Sequence, residues 1–139
     1  MITTTDIFSA IATTVRKKFN LKVYSVNTEE GYKPECFFLE LISPNVSYIT
    51  TNYKHEEMSF RLTFFPKTEK NLTRVLEVKN ILQELFDLKI KVNDDFYVNI
   101  MEQSFTITSN NCLEMLIATE MTQEIDEEDG PMMKEIEIN

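Results

Sequence analysis

Glu57-Met58-Ser59-Phe60-Arg61-Leu62-Thr63-Phe64-Phe65-Pro66 decides the fold class. Met58, Phe60, Leu62 and Phe64 fall at every second position, with Ser59, Arg61 and Thr63 between them. Side chains of an extended chain point alternately to opposite faces, so this spacing predicts a strand with one buried and one wetter face. Such a strand belongs in an antiparallel sheet covered mainly on one side. Pro66 has no N–H for the ladder and is expected to end it.

Upstream, Val46 to His55 is more polar and rich in Thr and Asn; it reads either as a long hairpin arm or as an ordered loop. Cys36 to Ile42 is an apolar run interrupted only by Glu40, as expected of a strand covered on both sides or central in its sheet. Ser43-Pro44-Asn45 is expected to break that strand. Leu21 to Asn27 reads as a further strand, with Val23, Tyr24 and Val26 at β-prone positions. Residues 28–35 between them, containing Gly31 and Pro34, read as a loop.

The chain opens with a helix. Ile7, Ile11, Val15 and Phe19 recur every four residues, and Thr4, Thr5 or Asp6 is expected to cap them. Arg16, Lys17 and Lys18 close the helix where positive charge complements its dipole; the same trio would also serve as a phosphate or lipid patch. After Pro66, Thr68 is expected to cap a second helix, with Glu69 in its first turn. Leu72, Val75, Leu76, Lys79, Leu82, Leu85 and Phe86 follow a 3.6-residue period on it. Lys89 to Val92 is a candidate strand and Asn93-Asp94-Asp95 a turn. Tyr97 to Thr108 and Cys112 to Gln123 read as two strands joined by Ser109-Asn110-Asn111, since Asn tolerates the positive φ of a tight turn. The expected class is α+β: a mostly antiparallel or mixed sheet of about four to five strands, with two amphipathic helices packed on one face.

The 139 residues carry 23 acids and 14 bases, a net charge of −9. Residues 126–139 hold six acids (Asp126, Glu127, Glu128, Asp129, Glu135, Glu137) and one base (Lys134), so −5 belongs to this stretch and −4 to the rest. The expected organisation is therefore one domain over residues 1–125 and an acidic tail over 126–139. The acidity argues against a duplex-binding surface, which needs clustered Lys and Arg. The apolar runs are too short to span a membrane. The start, Met1-Ile2-Thr3-Thr4-Thr5-Asp6, has neither the basic nor the apolar region of a signal peptide. Cys36 and Cys112 are expected to be buried free thiols rather than a bridge.

A search for catalytic chemistry yields little. His55 is the single histidine, and it is expected to be an exposed strand residue, not part of a triad or a metal site. Cys36 lacks a neighbouring base. Asp94-Asp95 and Asp126 to Asp129 lack the spacing of a calcium loop. Two glycines cannot build a phosphate-cradling loop. No cofactor, no metal and no enzymatic activity are expected. Tyr32, Tyr48, Tyr53 and Tyr97 fall at loops or strand ends, where interfaces favour such residues. Glu40 and Arg61, on adjacent strands, either pair across the sheet or face a neighbouring subunit.

Val23-Tyr24-Ser25, then Glu30-Gly31-Tyr32-Lys33-Pro34-Glu35-Cys36-Phe37-Phe38-Leu39, together with Phe60-Arg61-Leu62-Thr63-Phe64-Phe65-Pro66, resemble motifs of the small tail terminator proteins of Gram-positive phages and phage tail-like particles. The resemblance runs from residue 5 to about residue 123 in element order. Glu30 stands where those proteins usually have Gln, Pro34 and Glu35 are in reversed order, and the acidic tail has no counterpart. The resemblance implies a non-enzymatic structural protein: a homohexameric ring that caps the tail tube, stops its polymerisation and connects it to the neck, head or collar. Its implied partners are itself, the tail tube protein, and the sheath and neck or connector proteins. DNA would pass through the lumen without specific binding in a true phage. The implied location is the virion tail or a tail-like particle, contractile or not, assembled in the bacterial host cytoplasm.

Interface candidates are Glu30, Tyr32, Lys33, Tyr48, Tyr53, Arg61, Ile136 and Ile138. The last two alternate with acids in the strand-like run after Gly130-Pro131, which reads either as disordered or as a strand added to a neighbour. A different class, a monomeric adaptor or inhibitor binding through its sheet edge, is the alternative.

Overall fold

The computed structural model describes residues 2–25 and 33–125. The order is α1 (Thr4–Phe19), β1 (Val23–Tyr24), β2 (Cys36–Tyr48), β3 (Tyr53–Phe65), α2 (Leu72–Leu85), β4 (Lys89–Asn93), β5 (Phe96–Ile107) and β6 (Leu113–Glu124). The fold is α+β with a sheet of six strands, more than the four to five expected, because β4 forms a hairpin with β5. The spatial order is β1-β2-β3-β6-β5-β4, with β1 parallel to β2 and every other pairing antiparallel.

The Met58–Phe64 alternation is what aligns this sheet. Leu39, Leu62 and Met115 stand side by side, as do Phe37, Phe64 and Leu113. All six are fully buried. Both helices cover this one face. The Phe8 and Phe19 rings of α1 lie 6.2 and 5.0 Å from those of Phe60 and Phe37. On α2 the Arg74 guanidinium lies 6.0 Å from the Phe64 ring, and the Gln103 side chain of β5 donates to the Phe86 carbonyl at the end of that helix. Ile7, Ile11 and Val15 of α1 and Val75, Val78 and Leu82 of α2 complete a single core.

Several local expectations shift. Thr3, not Thr4 to Asp6, caps α1: its hydroxyl accepts from Asp6 N–H (3.2 Å) and its own N–H donates to the Asp6 carboxylate (2.8 Å). Asn20 ends that helix at φ 55°, a left-handed conformation that Asn tolerates. Asn71, not Thr68, caps α2, its side-chain oxygen accepting from Arg74 N–H. Leu72 and Leu76 are exposed, because the 75/78/82 stripe turns to the sheet and leaves them on its shoulder. The strand expected to stop at Ser43-Pro44-Asn45 instead runs through to Tyr48. Among the described residues β2 is bare along most of its outer side, so Pro44 withholds no donor that an inner neighbour requires, and a bulge between Leu41 and Ser43 absorbs the irregularity. The polar segment 46–55 is therefore a hairpin arm, turned at residues 49–52 with Ile49 N–H donating to the Tyr53 carbonyl. The Asn turn behaves as expected: Asn111 takes φ 59° between β5 and β6.

Two polar clamps fix the ends of the hairpin. At the Cys36 end, Arg74 Nε and Nη2 donate to both oxygens of Glu35, at 3.0 and 3.1 Å. At the turn end, Gln123 Nε2 donates to the Ile2 carbonyl and to Glu56 Oε2, both at 2.9 Å. Ile2 N–H returns a bond of 2.8 Å to Gln123 Oε1.

Candidate assembly surface

β1 pairs only with Phe37 and Phe38. Among the described residues, β2 from Leu39 to Tyr48 thus has no strand on its outer side. Its inward-facing positions here, Leu41, Val46 and Tyr48, continue the core face beyond the reach of the helices. Ile49 at the turn joins them, Tyr48 and Ile49 being exposed by 68% and 60%, while Ile42 and Tyr53 are exposed on the opposite face of the same hairpin. Single exposed apolar residues are ordinary; a contiguous group marks a contact surface. Pro44 and the bulge blunt the edge against an added strand, because no proline can donate to an incoming neighbour. The hairpin is thus better suited to side-chain packing than to sheet extension.

The other face of the sheet carries no helix among the described residues. Glu40 and Arg61 stand directly opposite one another there, 3.9 Å apart and partly solvated, so they do pair across the sheet. Such a pair is worth less than about 1 kcal/mol. Arg61 also lines a shallow groove with Ile42, Ser59, Ser104, Leu116 and Glu102. Tyr24 stacks on Phe38, whose ring meets Phe65 edge-on at 5.1 Å, closing one end of this face.

Of the residues singled out from sequence, Tyr48 and Tyr53 are both exposed on the hairpin arm but the register turns them to opposite faces, Tyr53 to the helix-free face that also carries Arg61, and Lys33 is exposed before β2. Glu30, Tyr32, Ile136 and Ile138 lie outside the described residues, as does the whole acidic tail. Leu41, Ile42, Val46 and Ile49 were missed. The signal in sequence was partial: Val46 and Tyr48 alternate with Asn45 and Ser47 past the strand break expected at Pro44, but nothing local shows that no helix covers them.

Burial disfavours the thiolate form of both cysteines. Burial pushes Cys36 up to about 11, and burial likewise raises Cys112. Both are free cysteines. His55 is not the isolated exposed residue expected; it is half-buried between Glu57, Glu120 and Thr122.

A family model described as phage tail terminator protein matches residues 6–131. The chain belongs to the phage tail terminator family. The match starts within the first turn of α1, takes in every later element to β6 and continues into the acidic stretch, further than the sequence resemblance reached. No curated protein matches the chain. Family membership makes this terminator a structural component of the phage tail that acts with other tail proteins. Among the described residues, no helix is long and apolar enough to cross a membrane.

Proposed function

We propose that this terminator caps the tail tube as a ring of six copies, halting tube polymerisation and offering its far side to the neck, head or collar. The observation that carries the reading is the exposed apolar hairpin, Leu41 to Tyr53, attached to a domain whose core is already complete without it. In a head-to-tail ring each copy offers two different surfaces, so the hairpin of one copy packs against another part of the next. Tyr48 anchors that contact, and Tyr53, Arg61 and Glu40 lie on the face turned to a second component. Glu30, Tyr32 and Lys33 supply a further contact.

The protein is non-enzymatic in this reading, in keeping with its family and with thiols held protonated. The tube protein is its first partner, followed by sheath and connector proteins. Its mild acidity over residues 1–125 repels phosphate, which suits a lumen through which DNA slides without sticking. Assembly takes place in the host cytoplasm. Residues 126–139 act as an arm, with Ile136 and Ile138 docking on a neighbouring copy.

Light scattering of the purified chain, alone and with tube protein, should give a mass near six copies in at least one condition. A monomer in both would overturn the ring. Particles assembled without the terminator should have uncontrolled tail lengths, and normal tails would overturn the capping role. Truncation after Ile125 should weaken assembly; an unchanged ring would remove the arm from the scheme.

A further inference from the structure

We propose that His55, Glu57 and Glu120 form a binding site for a divalent first-row transition metal, with zinc the best-fitting ion. His55 and Glu57 lie two apart on β3 and therefore share its helix-free face, while the β3–β6 register sets Glu57 directly opposite Glu120 and His55 opposite Thr122. His55 Nε2 lies 3.2 Å from Glu57 Oε1 and 3.4 Å from Glu120 Oε2. One ligand atom from each residue falls within 4.8 Å of the others.

Three features of the cluster favour an ion at this point. The first is geometric: ligands ~2.0–2.1 Å from a tetrahedral ion are separated by about 3.3 Å, close to both nitrogen–oxygen distances here. The second is orientation. His55 Nδ1 lies 3.1 Å from Thr122 Oγ1, so an Nδ1–H that donates to this hydroxyl turns the Nε2 lone pair on the two carboxylates. A hydrogen bond of that kind on the non-ligating nitrogen fixes the tautomer of metal-binding histidines. The third is charge. Like charges directly opposite in a sheet repel, and a proton on Nε2 offsets only one of the two carboxylates, whereas a divalent ion offsets both. One imidazole and two carboxylates suit zinc and its neighbours rather than calcium, which takes oxygen ligands.

Among the described residues, no lysine or arginine of the neighbouring strands stands opposite the three ligands. The register puts Asn45 and Ser47 of β2 opposite Glu57 and His55, and Asn99 of β5 opposite Glu120. Lys54, next in sequence, points to the other face, toward Glu56 at 3.9 Å. Side-chain exposures of 22%, 59% and 29% for His55, Glu57 and Glu120 leave the site open to an ion from solution. Three protein ligands leave one position of a tetrahedron for water. The site is independent of the ring reading, since all its ligands come from one chain.

The test uses tag-free full-length protein, because the chain has a single histidine and its imidazole gives one clean NMR signal. Titration with zinc chloride near pH 7.5 should give one ion per chain by calorimetry. The His55 Nε2 resonance should shift, while Nδ1 retains its protonated signature. His55→Gln and Glu120→Gln should each weaken zinc binding tenfold or more. Thermal melting should show zinc raising the wild-type Tm and leaving the Tm of His55→Gln unmoved, which separates lost binding from lost folding. Absence of saturable binding, or unchanged affinity in His55→Gln, would overturn the proposal; the latter would place the ion on the thiols or the acidic tail.

Discussion

The two ends of the β2–β3 hairpin are built from the same strands in one continuous ladder, yet they do opposite things. At one end Phe37, Leu39, Phe60, Leu62 and Phe64 are fully buried beneath the helices. At the other, Val46, Tyr48, Ile49 and Tyr53 are exposed. Alternation alone does not separate them, because it places an apolar side chain on the inward face at both. What separates them is cover: the helices end before the hairpin does. Apolar surface that folding does not use is a cost in solubility unless another surface meets it. On the proposed reading, the buried end serves stability and the bare end assembly.

The largest expected effect lies at the buried end. Phe60→Ala would remove a fully buried ring that meets Phe8 of α1, at a cost of ~3–5 kcal/mol. Urea denaturation should show the midpoint falling with little change in slope. If Phe60→Ala cost no more than a surface change, the division between the two ends would collapse.

Gln123→Ala comes next. It leaves the Ile2 N–H and carbonyl and Glu56 without their buried partner, and unsatisfied buried groups cost ~1–3 kcal/mol. Because this clamp holds the segment before α1 against the turn end, hydrogen exchange should rise first in α1. Uniform acceleration across the sheet would instead show that the clamp supports the whole fold.

The opposite clamp should matter somewhat less. Arg74→Gln would break the two-pronged bond to Glu35 and the contact with Glu77, and partial exposure limits the loss to about 1–2 kcal/mol. The deficit should shrink in high salt; a salt-independent deficit would assign the effect to packing on Phe64 instead.

How far all this was legible follows the same division. The Met58–Phe64 alternation, the Ile7–Phe19 spacing and the Asn110-Asn111 turn are local patterns, and each produces the element it implies. Pro44 misled because a proline ends a strand only where a neighbour needs its donor, and whether β2 is an edge depends on topology. Thr68 and Asn71 are both acceptable caps; the packing of α2 on the sheet chooses between them. Tyr48 and Tyr53 could be suspected from residue type, but Leu41 and Val46 differ from core residues only in lacking a helix above them. The His55 cluster was the least legible part. His55 and Glu57 are visible as neighbours on one face, while Glu120 joins them through a pairing register that no stretch of sequence contains.

A smaller stability effect is expected at the bare end, and it sharpens the comparison most directly. Tyr48→Ser with Ile49→Ser should change monomer stability by no more than about 0.5 kcal/mol, because both side chains already face water. The same pair should reduce the assembled mass seen by light scattering. Full assembly by this variant would move the contact surface elsewhere.

The smallest effect depends on pH and concerns the start of α1, beside the turn-end clamp. The Thr3 backbone N–H donating to the Asp6 carboxylate, helped by the Thr3 hydroxyl, holds its pKa below the ordinary carboxylate value. A group whose folded pKa is depressed adds stability above its unfolded pKa and loses it as pH falls through the lower folded value. The Tm gap between wild type and Asp6→Ala should thus be constant from neutral pH down to about 5 and narrow below about 4. A gap that widened on acidification would mean that the capping box acts through the neutral acid. Since this cap orients α1 over Phe60 and Phe37, its loss would be felt at the buried end of the hairpin and leave the bare end unchanged.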